Sequence, residues 1–379
     1  MKTFKFGQLL TREEICDRKD EISHLQKICK TRGRAVVYGS RRFGKTSLVK
    51  NVMMEEFLEK EKKSLAVYVD LFQVDSLEDI SSRLRVGLEQ ALSHRAKIKT
   101  FFVTIQNYLK HFRVELTADP ISGVPSVSLS GQHRKEDPSL PDFFAALRNL
   151  SREYKTLLIL DEFQDIQGVD GLEAGLRSEI QNLSDTAVIL LGSKKHILRK
   201  IFHDESRPFY GFGVDIEIKA IGRNHWLPYM RERFSLCNIS LDESGVSEIC
   251  RLMRDVPNSI QELCQWIVLS DWSGYLDAPS IHLHLSQLIE NKASRYFEKL
   301  AGLSIKEKKV VIAVARCEPV ASVTALEFLR ETHVSATATK ATMNRLTDQG
   351  IFDVTDEGHV ITDPLFHLFL LRQFVESIK

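Results

Sequence analysis

The hydrophobic pattern changes character along the chain. In the first part, short uninterrupted apolar runs alternate with longer stretches whose apolar residues recur every three or four positions. Ala35–Tyr38, Ser64–Leu71, Thr156–Leu160 and Ala187–Leu191 have the length and apolar content of buried strands, and Val214–Ile218 closes the set as a fifth. The periodic stretches between them predict helices over 45–60, 76–92, 95–112, 142–154 and 171–183. Strands alternating with helices predict an α/β fold with a parallel sheet.

Two segments break this rhythm. Leu116–Pro141 interleaves Pro120, Gly123, Pro125, Gly131 and Pro138 with Val124, Val127 and Leu129, and is expected to form an exposed β-hairpin or loose excursion from the core, near 113–141. After Gly222 helices dominate as far as Leu300, with a break at Pro257 and a turn over 274–279. Ser304–Lys379 then predicts three short helices, a hairpin and a terminal helix. These shifts divide the chain into 1–222, 223–303 and 304–379, with no internal repeat.

The turn after the first strand carries the chemistry. Gly39-Ser40-Arg41-Arg42-Phe43-Gly44-Lys45-Thr46, followed by Ser47, fits G-x-x-x-x-G-K-[ST] at every fixed position. The glycines let backbone N–H groups curl around a β-phosphate, and the helix N-terminus adds positive dipole. Lys45 reaches the β/γ oxygens and Thr46 offers its hydroxyl to Mg²⁺. Leu157–Leu160 then ends in Asp161 and Glu162, at the carboxyl end of a strand where open α/β sheets bind ligands. Asp161 is suited to the Mg²⁺ shell and Glu162 to orienting or deprotonating water. Ser193 follows the next strand, at a place from which it can sense a γ-phosphate. Together these predict a P-loop NTPase core.

Composition narrows the setting. A net charge of +1 with 27% charged residues gives no bulk attraction to nucleic acid or membrane. The six cysteines are scattered without metal spacing, no apolar run approaches the ~20 residues of a membrane span, and Met1–Leu10 has no signal-like apolar core. Reduced thiols in a cytoplasmic protein are expected.

The motifs resemble a family: the prokaryotic predicted ATPases of the STAND/AAA+ group with an archaeal-type ATPase domain. The resemblance rests on Phe4-Lys5-Phe6-Gly7, Cys16–Glu21, the GSRRFGKTSL of Gly39–Leu48 and the LDEFQ of Leu160–Gln164. It extends to Leu191-Gly192-Ser193, Arg207–Tyr210 and the DPLF of Asp363–Phe366. It implies ATP rather than GTP, an ASCE-type sheet, a helical lid and a C-terminal winged helix. It also implies that Pro257, in the family's Gly-x-Pro turn, packs near the base; here the turn reads Asp255-Val256-Pro257, without the glycine. Many members carry an arginine after the aromatic-Tyr-Gly turn, where this chain has Phe212; Arg207 and Arg223 are the nearby arginines and, like Gln164, are expected on the surface.

The leading reading is an ATP-driven switch acting on a protein partner or a homo-oligomer. The alternative is a DNA-binding initiator or regulator resembling archaeal origin-recognition ATPases, and the Lys45/Asp161/Glu162 set argues against a third, a degenerate scaffold. A DNA-reading winged helix would present Thr337, Thr339, Lys340, Thr342, Asn344 or Arg345 to the major groove. Residues 305–379 carry nine Lys/Arg against ten Asp/Glu, an acidic balance that does not favour DNA. Duplex binding should therefore be weak. Two phosphate contacts, from Lys340 and Arg345, give a slope of log K against log salt near about −2, against about −5 to −9 for six to ten contacts. A salt titration with tight binding and a slope steeper than about −5, lost in Lys340→Glu/Arg345→Glu, would overturn this expectation.

Overall fold

The computed structural model describes residues 3–61, 63–95, 112–118, 125–131 and 139–375. The chain divides into two compact units, one of Arg18–Gly39 and Lys45–Ile218, the other of Met1–Asp17, Ser40–Gly44 and Lys219–Lys379.

The first unit is built on five parallel strands: β1 (Arg34–Tyr38), β2 (Ser64–Asp70), β5 (Lys155–Asp161), β6 (Thr186–Gly192) and β7 (Val214–Glu217), in the order β2-β5-β6-β1-β7. Strand β6 thus separates the phosphate-loop strand β1 from the acidic strand β5, as expected of the ASCE-type sheet. Every residue of β6 is buried, as is all of β5 after Lys155, which explains why they read as continuous apolar runs. Helices α1 (Lys19–Lys30), α2 (Glu55–Lys60), α3 (Leu77–Arg95), α4 (Leu140–Leu150), α5 (Leu172–Gln181) and α6 (Lys195–His203) belong to this unit. The helix expected at 45–60 runs through a π-helical stretch, Ser47–Met54, before it becomes α2; such widened turns are frequent at functional sites.

The segment near 113–141 corrects the sequence reading. Strands β3 (Phe112–Ala118) and β4 (Pro125–Gly131) do pair as an antiparallel hairpin, but one face of β4 is not exposed. Val127 and Leu129 alternate onto one face and are buried in the core of this unit, and Phe112 is buried with them. The hairpin is tied to α3 where Val127 N–H donates to Ser93 Oγ at 2.8 Å and Leu129 N–H to Glu89 Oε1 at 2.6 Å. The Pro/Gly content masked this period-2 apolar face. The helix expected at 95–112 falls mainly on residues 96–111, outside the described residues.

The second unit is helical, with α7 (Arg223–Ser235), α8 (Glu243–Leu252), α9 (Pro257–Leu269) and α10 (Ala278–Ala301), and a short parallel pair of β8 (Ile239–Ser240) and β9 (Gly274–Tyr275). There follow α11 (Ile305–Cys317), α12 (Leu326–Thr332), α13 (Ala336–Asp348), the hairpin β10 (Phe352–Val354) and β11 (His359–Ile361), and α14 (Pro364–Phe374). One core runs through all of it, from Trp226, Phe234 and Leu263 to Val310, Phe366 and Phe369, and takes in Phe4. Phe4 lies 4.7 Å from the Phe234 ring. Of the α13 residues expected to face a groove, Thr339 is buried and hydrogen-bonds Val334 O, and Arg345 is paired with the buried Glu307 at 2.9 Å. Among the described residues no helix is long and apolar enough to cross a membrane.

One close approach in the first unit is directly testable. A Cβ on Gly87 of α3 would lie 2.7 Å from Tyr68 O and 2.8 Å from Val69 Cγ2. Alanine raises helix propensity at such a position by about 1 kcal/mol. The collision should outweigh that gain, so that Gly87→Ala destabilises by roughly 1–3 kcal/mol. Urea denaturation reads this directly, and a midpoint at or above wild type would show that the helix can move away from β2.

Candidate active site

Both glycines of the loop are required by the backbone. A Cβ on Gly39 would come within 2.5 Å of Ile218 O, and Gly44 has φ +83°, in the left-handed region. Arg42, without that freedom, also has positive φ, at 66°. Lys45 is 6% exposed, and its ammonium donates to Gly39 O at 2.9 Å. A buried ammonium needs an acceptor, and the carbonyl at the other end of its own loop supplies one.

Asp161 gathers the next set. It is 2% exposed, which a carboxylate tolerates only when its lone pairs are answered. Its Oδ2 accepts from Thr46 Oγ1 at 2.9 Å and from the Tyr68 hydroxyl at 2.8 Å, and its Oδ1 from Glu162 N–H at 2.8 Å. The β2–β5 register, which sets Asp70 against Asp161, delivers Tyr68 from the strand alongside. Burial and the neighbouring Asp161 carboxylate push the Tyr68 phenol far above its ordinary pKa, so it remains a donor. The Lys50 ammonium lies 4.1 Å from the centre of its ring.

Glu162 takes left-handed backbone angles, φ 49° and ψ 41°, immediately before a 3₁₀ segment, Phe163–Gly168. Its Oε2 accepts from Ser193 Oγ at 3.0 Å and from Gln164 Nε2 at 2.5 Å. The hydrogen bonds therefore link Thr46, Asp161, Glu162 and Ser193. Gln164 corrects an expectation: it is 2% exposed rather than on the surface, and its Oε1 accepts from Ser193 N–H at 3.2 Å.

A hydroxyl and a carboxylate at hydrogen-bond distance, both hard oxygen donors, suit a small divalent cation. Mg²⁺ is usually held by one or two protein oxygens together with phosphates and water. Residues 15–253 match a family described as an ATPase domain predominantly from Archaea. The chain belongs to that family. Residues 294–372 of this archaeal-type ATPase match a probable winged helix domain. Among solved structures it is similar to a Walker-type ATPase of Pyrococcus abyssi, with 17% identity and a TM-score of 0.64 over 97% of this chain and 99% of that one. It is also similar to the ORC2 protein of Aeropyrum pernix in its ADPNP-ADP complexes, with 15% identity and a TM-score of 0.54 over 98% of each chain. At these identities the likeness is one of fold. No curated protein matches the sequence.

The tip of the phosphate loop, Ser40–Gly44, clusters with the helical unit of the ATPase. Arg42 Nη1 lies 3.1 Å from Asp363 Oδ2, and Arg42 O accepts from Asn258 N–H at 3.4 Å. Asp363 also caps α14, its Oδ1 accepting from Leu365 N–H at 3.1 Å. Burial works to raise the Asp363 carboxyl, but Arg42 outweighs it and holds the group below the usual carboxylate range. Arg41 packs where a side chain on Gly350 would stand. Pro257 occupies the first turn of α9, beside Asn258.

Ser40, Arg41 and Phe43 line a cleft of about 740 Å³ with Arg254, Val256 and residues of the β10–β11 hairpin. Arg254 reaches Glu318 and His367 there. Burial, with Arg254 beside it, pushes the His367 imidazole down to about 4. It is therefore neutral at pH 7, donating from Nε2 to Ala315 O at 2.9 Å and accepting at Nδ1 from Arg254. Of the two nearby arginines expected on the surface, Arg223 is exposed and Arg207 is half-buried. Arg207 pairs with Glu173, and Phe212 is buried among Phe202 and Phe209.

Tyr68, Gln164 and the Arg42–Asp363 pair escaped sequence reasoning as site features. Tyr68 left one signal, a lone phenol in an aliphatic strand, two positions before its acidic end.

Proposed function

We propose that the chain is an ATP-driven switch of the STAND/AAA+ type, with the winged helix as its output arm. Residues 1–222 form the ATPase core, 223–303 the lid and 304–379 the winged helix. Backbone N–H groups of Gly39–Ser47 cradle the phosphates, and Lys45 exchanges Gly39 O for the β/γ oxygens. Thr46 and Asp161 hold Mg²⁺, which when bound neutralises charge developing on the phosphates. Glu162 takes a proton from the attacking water, and Ser193 stands toward the γ-phosphate. Pro257 sits toward the base. The ADPNP-ADP complexes of the ORC2 neighbour are in keeping with an adenine nucleotide.

The observation that carries the switch reading is the Arg42–Asp363 ion pair. It ties a residue of the phosphate-binding motif to the N-cap of the last winged-helix helix. A nucleotide phosphate drawing on the loop competes with that pair, so occupancy and the hold on the winged helix are linked. Ten Asp/Glu against nine Lys/Arg over residues 305–379 give α13 little electrostatic hold on DNA, and a protein partner or a second copy of the chain is favoured.

The hydrolytic assignment separates into two substitutions. Lys45→Ala should weaken Mg·ATP binding sharply in calorimetry. Glu162→Gln should preserve binding yet slow single-turnover hydrolysis, by roughly 10²–10⁴-fold for loss of a general base. Equal affinity in Lys45→Ala, or an unchanged rate in Glu162→Gln, would remove the corresponding role.

The coupling has its own test. Asp363→Asn keeps a good N-cap but removes the charge facing Arg42. A partly exposed pair is worth up to ~1 kcal/mol, so ATP affinity should rise by up to about fivefold, with faster amide exchange in Pro364–Phe374. An unchanged affinity together with unchanged exchange would detach the winged helix from the nucleotide site.

A further inference from the structure

Gln164 is a buried polar side chain that no step above uses. The 3₁₀ segment carrying it is pinned on both sides. Phe163 packs into an aromatic cluster, 5.7 Å from Phe202 and 5.0 Å from Phe209. Asp165 accepts from Gln73 N–H at 2.9 Å. The amide between them has little freedom. Its oxygen faces the Ser193 N–H at 3.2 Å, and its nitrogen faces Glu162 Oε2 at 2.5 Å and Asp165 Oδ1 at 3.3 Å. One end meets a donor and the other two carboxylates, so the network permits one amide orientation.

Its principal partner is held in a conformation that needs support. A non-glycine residue in the left-handed region persists only where its surroundings over-determine it, and Glu162 stands there with φ 49°. Its N–H is tied to Asp161 Oδ1, and its carboxylate is held through Oε2 by both Gln164 and Ser193. Both side-chain donors fall on Oε2, which distinguishes the two oxygens and leaves Oε1 the candidate for proton uptake. Gly192 keeps the arrangement tight, since a Cβ there would fall 2.3 Å from Gln164 Oε1.

We propose that Gln164 is a positioning residue for ATP hydrolysis: it fixes which oxygen of Glu162 acts as base and ties it to the end of β6 at Ser193. The inference rests on Glu162 being the base. Misplacing a reacting group by ~1 Å can cost roughly 10²-fold, and the loss should fall on kcat while nucleotide affinity is kept.

The test uses the full-length chain. Gln164→Glu preserves shape but replaces the donor with an acceptor facing a carboxylate; Gln164→Leu removes both hydrogen bonds. Each should lower the single-turnover rate by roughly 10–10²-fold with the calorimetric Kd for Mg·ATP within about twofold of wild type. In a Glu162→Gln background the same changes should cost almost nothing further, because residues acting as a unit are non-additive. If Gln164→Leu fails to fold, Gln164→Glu decides alone. A folded, ATP-binding Gln164→Glu with the wild-type rate overturns the proposal, as does an equal further loss in the Glu162→Gln background. If Glu162→Gln itself hydrolyses at the wild-type rate, the base assignment fails and this inference with it.

Discussion

A carboxylate removed from water has to be met by donors, and the site is organised around that demand at Asp161. Its three donors come from different places: Thr46 after the phosphate loop, Tyr68 on β2, and the N–H of Glu162. Only a sheet with β5 beside β2 brings Tyr68 there, and only burial of β5 on both faces holds Asp161 at a fixed height. Glu162 and Gln164 are then placed relative to it within a few residues. The position of the acid thus sets the positions of nearly everything polar around it.

The helical unit obeys a second, looser constraint. There the charged groups are paired across segments distant in sequence: Arg42 with Asp363, Arg254 with Glu318, Arg345 with Glu307. Burial raises the Glu318 carboxyl even with Arg254 beside it, so this pair is costly to separate. Arg42 keeps a side chain 40% exposed to solvent, which leaves its pairing to Asp363 weaker and easier to exchange. The contrast gives the unit one firm and one yielding contact near the same loop.

Much of this was legible in the sequence because it depends on local composition. Four of the five strands are built on apolar runs, and G-x-x-x-x-G-K-T states its own backbone geometry. Asp161 and Glu162 could be placed from their strand alone. The β3–β4 hairpin was legible but its burial was not, because proline and glycine obscured the alternation of Val127 with Leu129, which matters only once α3 is there to cover it. Gln164 was misread for a related reason. Beside three acidic residues it has the look of a solvated loop, and its burial comes from Ser193 and Gly192, brought close by the β5–β6 pairing. Arg42–Asp363 joins nearly opposite ends of the chain and has no local signature.

Strand order has a consequence for how the chain is made. Strand β1, which launches the phosphate loop, has β6 and β7 as its two neighbours in the sheet, the last two strands of that sheet to be made. During synthesis both its edges stay unsatisfied until Thr186–Gly192 has left the ribosome, and one of them until Val214–Glu217 follows. Such non-local parallel pairing is slow, and unpaired edges recruit other chains. Fragments ending before β7 should be aggregation-prone and unable to hold nucleotide even though the whole glycine-lysine motif is present, so the shortest competent product of translation is set by the last strand of the sheet and not by the motif.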